Sequence, residues 1–538
     1  MESLIHLRDV AWAWVGLPAL IIVAVALTVL LRFPQITRLV EAFRAITAHD
    51  PKAEGSLPPA TALALSTAAT VGAGAAVSAA TAMGLGGPGA LPWLWLFGLL
   101  FAPVRLAEVF LARTAPPGKA GKTIEGGSLA ARLEGDADGR VAGIGRILFL
   151  LVPIGAFVVV GGLHGPAVTS TADQLLPGSA APIGFGVAAA AALFAFFGRD
   201  KAWLGWIALF ALLALVAACI VGIAFDAGQS FGTLVVAFED AFDGAPQVRS
   251  FSGALVGEVA GVSIGALLPV IAAPTGIDGA IGALAQPRSV KAQASAAMLP
   301  ILAHVVIGTL VIMAIGGTNA YARPVQTSRS LSVVRFYDSD FETVSQRMEP
   351  ERAWRGFMRI IDGVAQATPI HLGSERGMIE EPRFEEADGT PGNFAIRVED
   401  GVVTRILRPD HDGALADVDV GQVPGIVVRG RMLPVGGALL GATLDRAGGE
   451  LGGRVGLAAL MLLAALGAAA MGLGLARMFA SRVTVNAARA MSALPAIGLA
   501  LGTTSFAPTL ALLGAILAAI TTTIALLGLL LKARELAK

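Results

Sequence analysis

Eleven apolar stretches of about bilayer-spanning length restrict this chain to one kind of fold. They run over residues 11–32, 58–84, 91–113, 140–164, 182–198, 202–225, 253–285, 293–316, 454–480, 484–503 and 507–531. In lipid every backbone N–H and C=O must be satisfied internally, so such segments become helices packed in a bundle. Of 538 residues 55% are hydrophobic and only 14% charged, against about a quarter charged in soluble domains. The expected fold is an all-α polytopic membrane protein. A net charge of zero gives no footing for nucleic-acid binding, and the one cysteine, Cys219, lies in an apolar stretch, which excludes disulfides and Cys-based metal sites. No enzyme signature, cofactor motif or metal-ligand spacing stands out. The N-terminal apolar run is too long for a cleavable signal, lacks a small-residue cleavage site, and is followed by its positive charge.

Charge in the short loops sets the direction of the spans. Arg32, Arg38, Arg44 and Lys52 follow the first span; Arg113, Lys119, Lys122, Arg132, Arg140 and Arg146 surround the loop after the third. Arg199 and Lys201, Arg288 and Lys291, Arg477 and Arg482, and Lys532, Arg534 and Lys538 continue the pattern at alternate loops. The remaining short loops are nearly bare or acidic. By the positive-inside rule the N-terminus lies outside and the C-terminus in the cytoplasm. Trp12, Trp14, Trp93 and Trp95 on the outer side and Trp203 and Trp206 on the inner side are expected in interfacial belts. Residues 33–46 have helical apolar spacing with interspersed arginines and read as a helix on the inner surface.

The polar stretch 318–432 breaks the pattern and is expected outside, since long loops translocate regardless of charge. Within it Asn393–Pro409 alternates apolar and polar residues around Asp400-Gly401, a hairpin signal, and Met348–Val364 reads as an amphipathic helix. A small α+β extracytoplasmic domain is expected, without a cysteine, a histidine cluster or a catalytic spacing.

Two spans are interrupted. Ala69–Ala90, "ATVGAGAAVSAATAMGLGGPGA", is built from glycine, alanine and hydroxyl residues, and 253–285 carries Pro269, Pro274 and Gly276. With the first span set aside, ten remain, and these two stand first in each group of five. Broken segments in matching positions point to a 5+5 inverted repeat with solute held at the breaks, where freed backbone groups face protein or water. Small residues around Gly84 and Gly86 read as packing or turn positions. The expected organisation is 1–57 as an extra helix plus surface helix, 58–225 as the first repeat, 253–317 with 433–538 as the second, and 318–432 as the insertion.

Thr70–Trp95, "TVGAGAAVSAATAMGLGGPGALPWLW", resembles the signature region of the alanine/glycine:cation (sodium:alanine) symporter family, bacterial carriers with the leucine-transporter-type inverted repeat. The likeness continues through Arg105–Arg113 and returns at Gly437–Gly472, with fainter traces in the first span, Ala296–Thr309 and the C-terminal tail. It covers most of the membrane part and none of 319–432. It implies eleven spans, a bacterial inner-membrane location, a small-solute substrate and a coupling cation, sodium or proton. Departures accompany it. Ala73 and Ala75 stand where the family has Thr and Asn; Leu268, Pro269 and Val270 replace a Ser-Asn-Glu cluster; His304 replaces an intramembrane Asp; and the ninth span's middle reads "AALGAAAMG" where the family carries sodium-holding hydroxyls. The candidate substrate-binding set is therefore Thr70, Gly72, Ala73, Gly74, Ala75, Leu268, Pro269, Val270 and Thr275, with His304 as the candidate coupling residue.

Ionisable residues inside spans are functional candidates. Glu108, near Arg105 and Arg113, reads as a structural ion pair; Glu258 as solvated near an outer end. Asp278 either caps a half-helix or sits in a vestibule, and His304 is either a neutral hydrogen-bonded core residue or a proton carrier. His164 reads as interfacial, and the hydroxyls of Thr70, Ser78, Thr81, Ser263 and Thr275 as bonded to their own helices. Two functions follow as expectations. The first is a cation-coupled transporter of an amino acid, alanine- or glycine-like or more apolar, by alternating access. The alternative is a transporter-derived scaffold in the bilayer that senses a ligand or binds a partner through 318–432.

Overall fold

The structure is a computed structural model. It describes the chain except residues 1, 54, 116–126, 137, 138, 140, 176–179, 199–201, 243–257, 332, 333, 338–352, 367–370, 375, 376, 387, 410–414, 419–424, 481, 537 and 538. Two compact units emerge: a helical one that includes Asn319's N-terminal neighbours and resumes at Gly436, and a β unit over Asn319–Val435.

Among the described residues eight helices are long and apolar enough to cross a membrane. They are α1 (Ser3–Leu30), α3 (Pro59–Gly86), α4 (Ala90–Arg113), α6 (Ala142–Ala172), α8 (Ala202–Phe225), α12 (Val290–Thr318), α13 (Gly437–Phe479) and α16 (Ala507–Leu531). Shorter helices lie between them: α2 (Leu39–Thr47), α5 (Leu129–Glu134), α7 (Ala180–Phe197), α9 (Ala227–Asp240), α10 (Glu258–Ala272), α11 (Asp278–Gly282), α14 (Val485–Met491) and α15 (Leu494–Leu501).

The expected spans 253–285 and 484–503 are thus not single helices. The first is α10 and α11 with Ala273–Ile277 between them; the second breaks before Pro495, which lacks an N–H and starts α15. The expected span 454–480 is the second part of α13, whose 43 residues would reach ~65 Å if straight. A kink at Gly449 (φ +63°) divides it. The expected surface helix is interrupted at Arg38, giving Pro34–Thr37 and then α2. Residues 227–240, read as loop, form α9, which Asp226 caps by accepting from the Gln229 N–H at 2.9 Å.

Within the helical unit α3 is central. Its most apolar window is 83% buried, against 33% for α8, and α8, α10, α12 and α13 all pack on it. An alanine- and glycine-rich surface permits this close approach of helix backbones. "GLGGPGA" makes the expected end and turn: α3 stops at Gly86, Gly87 has φ +70°, and α4 starts at Ala90. The tryptophans expected in belts differ in exposure. Trp14 and Trp206 are exposed, but Trp12 and Trp93 are buried, their indole N–H groups donating to the carbonyls of Ala515 and Ala241.

The α5–α6 loop is tied to the chain's end: Lys532 Nζ donates to Asp136 and, at 2.8 Å, to Glu535, while Arg132 pairs with Glu535. The hydrogen bond from Lys532 holds the Asp136 carboxyl below its usual range. A depressed folded pKa contributes stability above the unfolded pKa that is lost as pH falls through the folded one. Asp136→Asn is therefore expected to lower stability near neutrality by up to about 1 kcal/mol and to match the wild type in strong acid, as read from melting of the purified protein across pH. Equal losses at both ends would remove Asp136 from that account.

The other unit holds strands β1 (Val325–Ser330), β2 (Arg335–Tyr337), β3 (Gly356–Ile361), β4 (Val364–Ala365), β5 (His371–Ser374), β6 (Gly377–Glu385), β7 (Phe394–Glu399), β8 (Val402–Pro409), β9 (Leu415–Val418) and β10 (Val427–Met432). They form two five-stranded antiparallel sheets, ordered β1-β10-β6-β5-β2 and β4-β3-β7-β8-β9. Phe336, Phe384 and Val428 from one sheet and Met358, Phe394 and Ile396 from the other share one core. The Asp400-Gly401 hairpin is present as β7–β8.

The amphipathic helix expected at 348–364 is not. Its described part forms β3, in which Met358 and Ile360 point inward while Phe357, Arg359 and Ile361 point outward. Both periods fit so short a run, and pairing with β7 decides it. Apart from 3-10 turns at Ala320–Ala322 and Leu331, the described residues of this unit are strands and loops, and residues 348–352 of the expected helix lie outside the described residues.

Candidate functional site

Both interruptions exist, and each is held by a side chain from a different span. In α3 the break is a single residue. Gly72 has φ +47°, ψ −164°, a conformation open to glycine and strained for any residue with a Cβ, while helix resumes at once. The freed amide is met from α6. Gly74 N–H donates to His164 Nδ1 at 3.1 Å, which puts the ring proton of a neutral imidazole on Nε2. His164 ends a π-turn, Val160–His164, inside α6, and is 2% exposed. The interfacial role expected for it is therefore replaced by a buried one: the imidazole fills the niche left by the two missing Cβ atoms of Gly72 and Gly74.

The second break, Ala273–Ile277, is longer. Pro274 and Gly276 (φ +90°) lie in it, Thr275 N–H donates to the Ala272 carbonyl at 2.9 Å, and Asp278 N–H to that of Pro274 at 3.0 Å. Leu268, Pro269 and Val270 are helical, one turn before the break. Proline at 269 costs a hydrogen bond without ending the helix, so the opening falls at the second proline and the glycine.

The anchor for this break comes from α4. Glu108 Oε1 accepts from Gly276 N–H and Gly279 N–H, each at 3.0 Å, and Oε2 accepts from Arg105 Nη1 at 3.0 Å. Arg105 Nη2 donates to the Ile271 carbonyl at 3.0 Å. Both side chains are wholly buried. The expected Glu108–Arg105 pair is thus present, but Arg113 instead donates to the carbonyls of Ala283 and Ala285. Asp278 opens α11; Ser66 Oγ of α3 donates to its Oδ1, and Oδ2 is buried without a hydrogen-bond partner among the described residues.

The other expected site residues are buried too, with mixed engagements. Ala73 and Ala75 contribute methyl groups. Ser78 and Thr81 bond their own helix, to the carbonyls of Ala75 and Val77, whereas the hydroxyls of Thr70 and Thr275 have no partner among the described residues. His304 on α12 is 1% exposed, and neither ring nitrogen has a hydrogen-bond partner there.

A cavity of about 10 Å³ lies against the second break, lined by Ala272, Ala273 and Thr275, by Val152 and Val159 of α6, and by Thr521 of α16; that is room for about one water. Thr70–Ala75 do not line it, so it does not join the two breaks. His164, Glu108 and Asp278 stood out in the sequence as ionisable residues inside spans, but their partners, and Ser66 as one of them, did not, because those partners are backbone amides or residues far along the chain.

Interrupted helices whose freed amides are gripped by neighbouring spans, in a multi-pass helical bundle, define a membrane carrier of the broken-helix class. The chain belongs to the sodium:alanine symporter family. The model of that family, described as "Sodium:alanine symporter family", matches residues 1–342, well over half the chain and a stretch containing both breaks, Glu108, His164, Asp278 and His304. The match runs past residue 319 into the β unit and stops before Gly437–Gly472, where the sequence likeness was also seen. No curated protein matches the chain.

Proposed function

We propose that the protein is a secondary active transporter that carries a small amino acid, alanine- or glycine-like or more apolar, by cation-coupled alternating access. Ten helices of a 5+5 inverted repeat would move around the two breaks, in a bacterial inner membrane with the N-terminus outside and the C-terminus in the cytoplasm. The observation that carries this reading is the pair of gripped breaks within the family-matched region. A helix kept interrupted in lipid is costly unless the freed groups are engaged, and engagement by side chains from other helices lets them be exchanged for a solute.

The small lining residues at Gly72–Ala75 favour a substrate recognised through its charged ends by backbone groups, with little room for a polar side chain. His304, buried and with no hydrogen-bond partner among the described residues, is one candidate for a coupling role. The scaffold alternative gains nothing from the family match. The test is uptake of labelled alanine, glycine and leucine into proteoliposomes under an imposed sodium or proton gradient. Gradient-driven accumulation of at least one is expected; no flux of any of them under either gradient would overturn the proposal.

A further inference from the structure

Arg105, Glu108 and Asp278 form a buried charge cluster with an uneven count. Arg105 and Glu108 are 0% exposed and Asp278 1%. The cluster joins three elements: Ser66 of α3, the Arg105–Glu108 pair of α4, and the second break with the start of α11. Gly279, which follows Asp278, donates its amide to Glu108, so the two carboxylates are neighbours around one turn of chain.

Arg105 and Glu108 form an ion pair, in which Arg105 Nε is left buried with no hydrogen-bond partner among the described residues. The guanidinium neutralises Glu108 and also holds the Ile271 carbonyl, and both Glu108 oxygens are occupied. Asp278 is left over. One of its oxygens accepts from the neutral Ser66 hydroxyl, and the other, Oδ2, is buried with no hydrogen-bond partner among the described residues. Arg105 also acts electrostatically on Asp278, but it is already paired with Glu108; among the described residues the other close approaches around this turn are apolar. Val152 of α6 approaches Gly276, Gly474 of α13 approaches Ile277, and Ala112 of α4 approaches Gly279. Two carboxylates against one guanidinium leave one unit of negative charge in a low-dielectric interior, where an unpaired ion is disfavoured unless something neutralises it. His304, by contrast, is neutral as an imidazole and leaves no charge to be balanced.

We propose that Asp278 is the seat of one exchangeable monovalent cation, a proton or a sodium ion held at Oδ2, and that this cation is the one coupled to transport. The inference rests on the transporter reading for its second half only. Asp278 reports on both halves of the machinery at once, because Ser66 belongs to the first broken helix and Asp278 to the second. Neutralising it removes a charge that the dry, closed interior disfavours, and releasing the cation leaves a charge that favours opening toward water. This ties occupancy of the cation site to the conformational change, the requirement for coupling.

The experiment uses the full chain, wild type against Asp278→Asn, a substitution that keeps an acceptor for Ser66 and removes the charge. Two kinds of measurement are made: labelled alanine, glycine and leucine in proteoliposomes, both as gradient-driven accumulation and as exchange with equal solute on the two sides; and melting of the purified protein in sodium against choline chloride and from acid to alkaline pH. The variant is expected to lose accumulation while exchange continues. The wild type is expected to show a melting response that the variant lacks, to sodium if sodium is the cation and to pH if a proton is. Ser66→Ala, which removes one buried hydrogen bond from the carboxylate, is expected to shift the midpoint of that response by up to about tenfold in cation concentration, and it serves should the Asn variant not fold. Equal melting responses in wild type and variant, or unchanged accumulation in Asp278→Asn, would overturn the proposal. A response that depends on Asp278 in a protein that moves none of the solutes would sink the transporter reading while leaving the cation site standing.

Discussion

Glu108→Ala is expected to be the most destabilising single substitution in the helical unit, by about 3–5 kcal/mol, the usual consequence of breaking a buried ion pair from one side. The truncation strands the Arg105 guanidinium, which keeps its bond to the Ile271 carbonyl and its place over the Phe101 ring but loses its ion-pair partner, and leaves the amides of Gly276 and Gly279 without their acceptor. Each orphaned buried donor adds about 1–3 kcal/mol, though the losses overlap and do not sum. Glu108→Gln separates the two roles: its amide oxygen can still accept from Gly276 and Gly279, while the charge and the acceptor facing Arg105 are both lost and an NH2 donor takes their place. The Gln variant should therefore fall between wild type and Ala. Melting of the purified protein gives the order, and hydrogen exchange at Gly276 and Gly279 gives the location, with both amides protected in Gln and exposed in Ala. An Ala variant within about 1 kcal/mol of wild type, the range of a solvent-screened pair, would show that the second break does not depend on this carboxylate.

The sequence carried much of the helical architecture because lipid allows so few alternatives: apolar length and Gly and Pro punctuation sufficed to place the long helices among the described residues, apart from the first part of α13, and to find Gly72 as a break. It carried less where a decision belongs to tertiary pairing. Gly356–Ile361 has an apolar rhythm compatible with a helix or a strand, and only β7 alongside it fixes the strand. Pro269 looked like the opening of the second break, yet the helix continues through it and parts at Ala273. His164 was the largest miss at the site. Nothing within Val160–His164 says that its imidazole lies against a glycine amide ninety positions earlier, because the contact is made by the packing of α6 on α3 and not by any local pattern. Glu108 was half legible: its neighbour Arg105, three residues away, showed in the sequence, but the two amides it caps did not.

Substitutions at Gly72 and Gly74 should lower stability and transport for different reasons, and His164→Ala tells them apart. A Cβ on Gly74 would stand 2.9 Å from His164 Cε1 and Nδ1, with no unusual backbone angle. A Cβ on Gly72 would stand 2.5 Å from His164 Cε1 and would also have to sit at φ +47°. The obstacle at Gly74 is thus the imidazole alone, whereas at Gly72 the backbone adds about 1–3 kcal/mol that no neighbour can relieve. His164→Ala itself leaves the Gly74 amide without its acceptor, at about 1–3 kcal/mol. In the background of His164→Ala, Gly74→Ala should therefore cost almost nothing further and partly refill the space left by the ring, while Gly72→Ala should keep its backbone penalty. The measurement is a pair of double-mutant cycles on melting of the full chain, with alanine uptake followed in the same variants. A coupling energy between Gly74→Ala and His164→Ala close to zero would mean that the ring yields without cost, and full rescue of Gly72→Ala would mean that the helix at this point tolerates a side chain. Either result would separate the first break from the imidazole that occupies it, and with it the view that a solute entering here must displace His164 from the Gly74 amide.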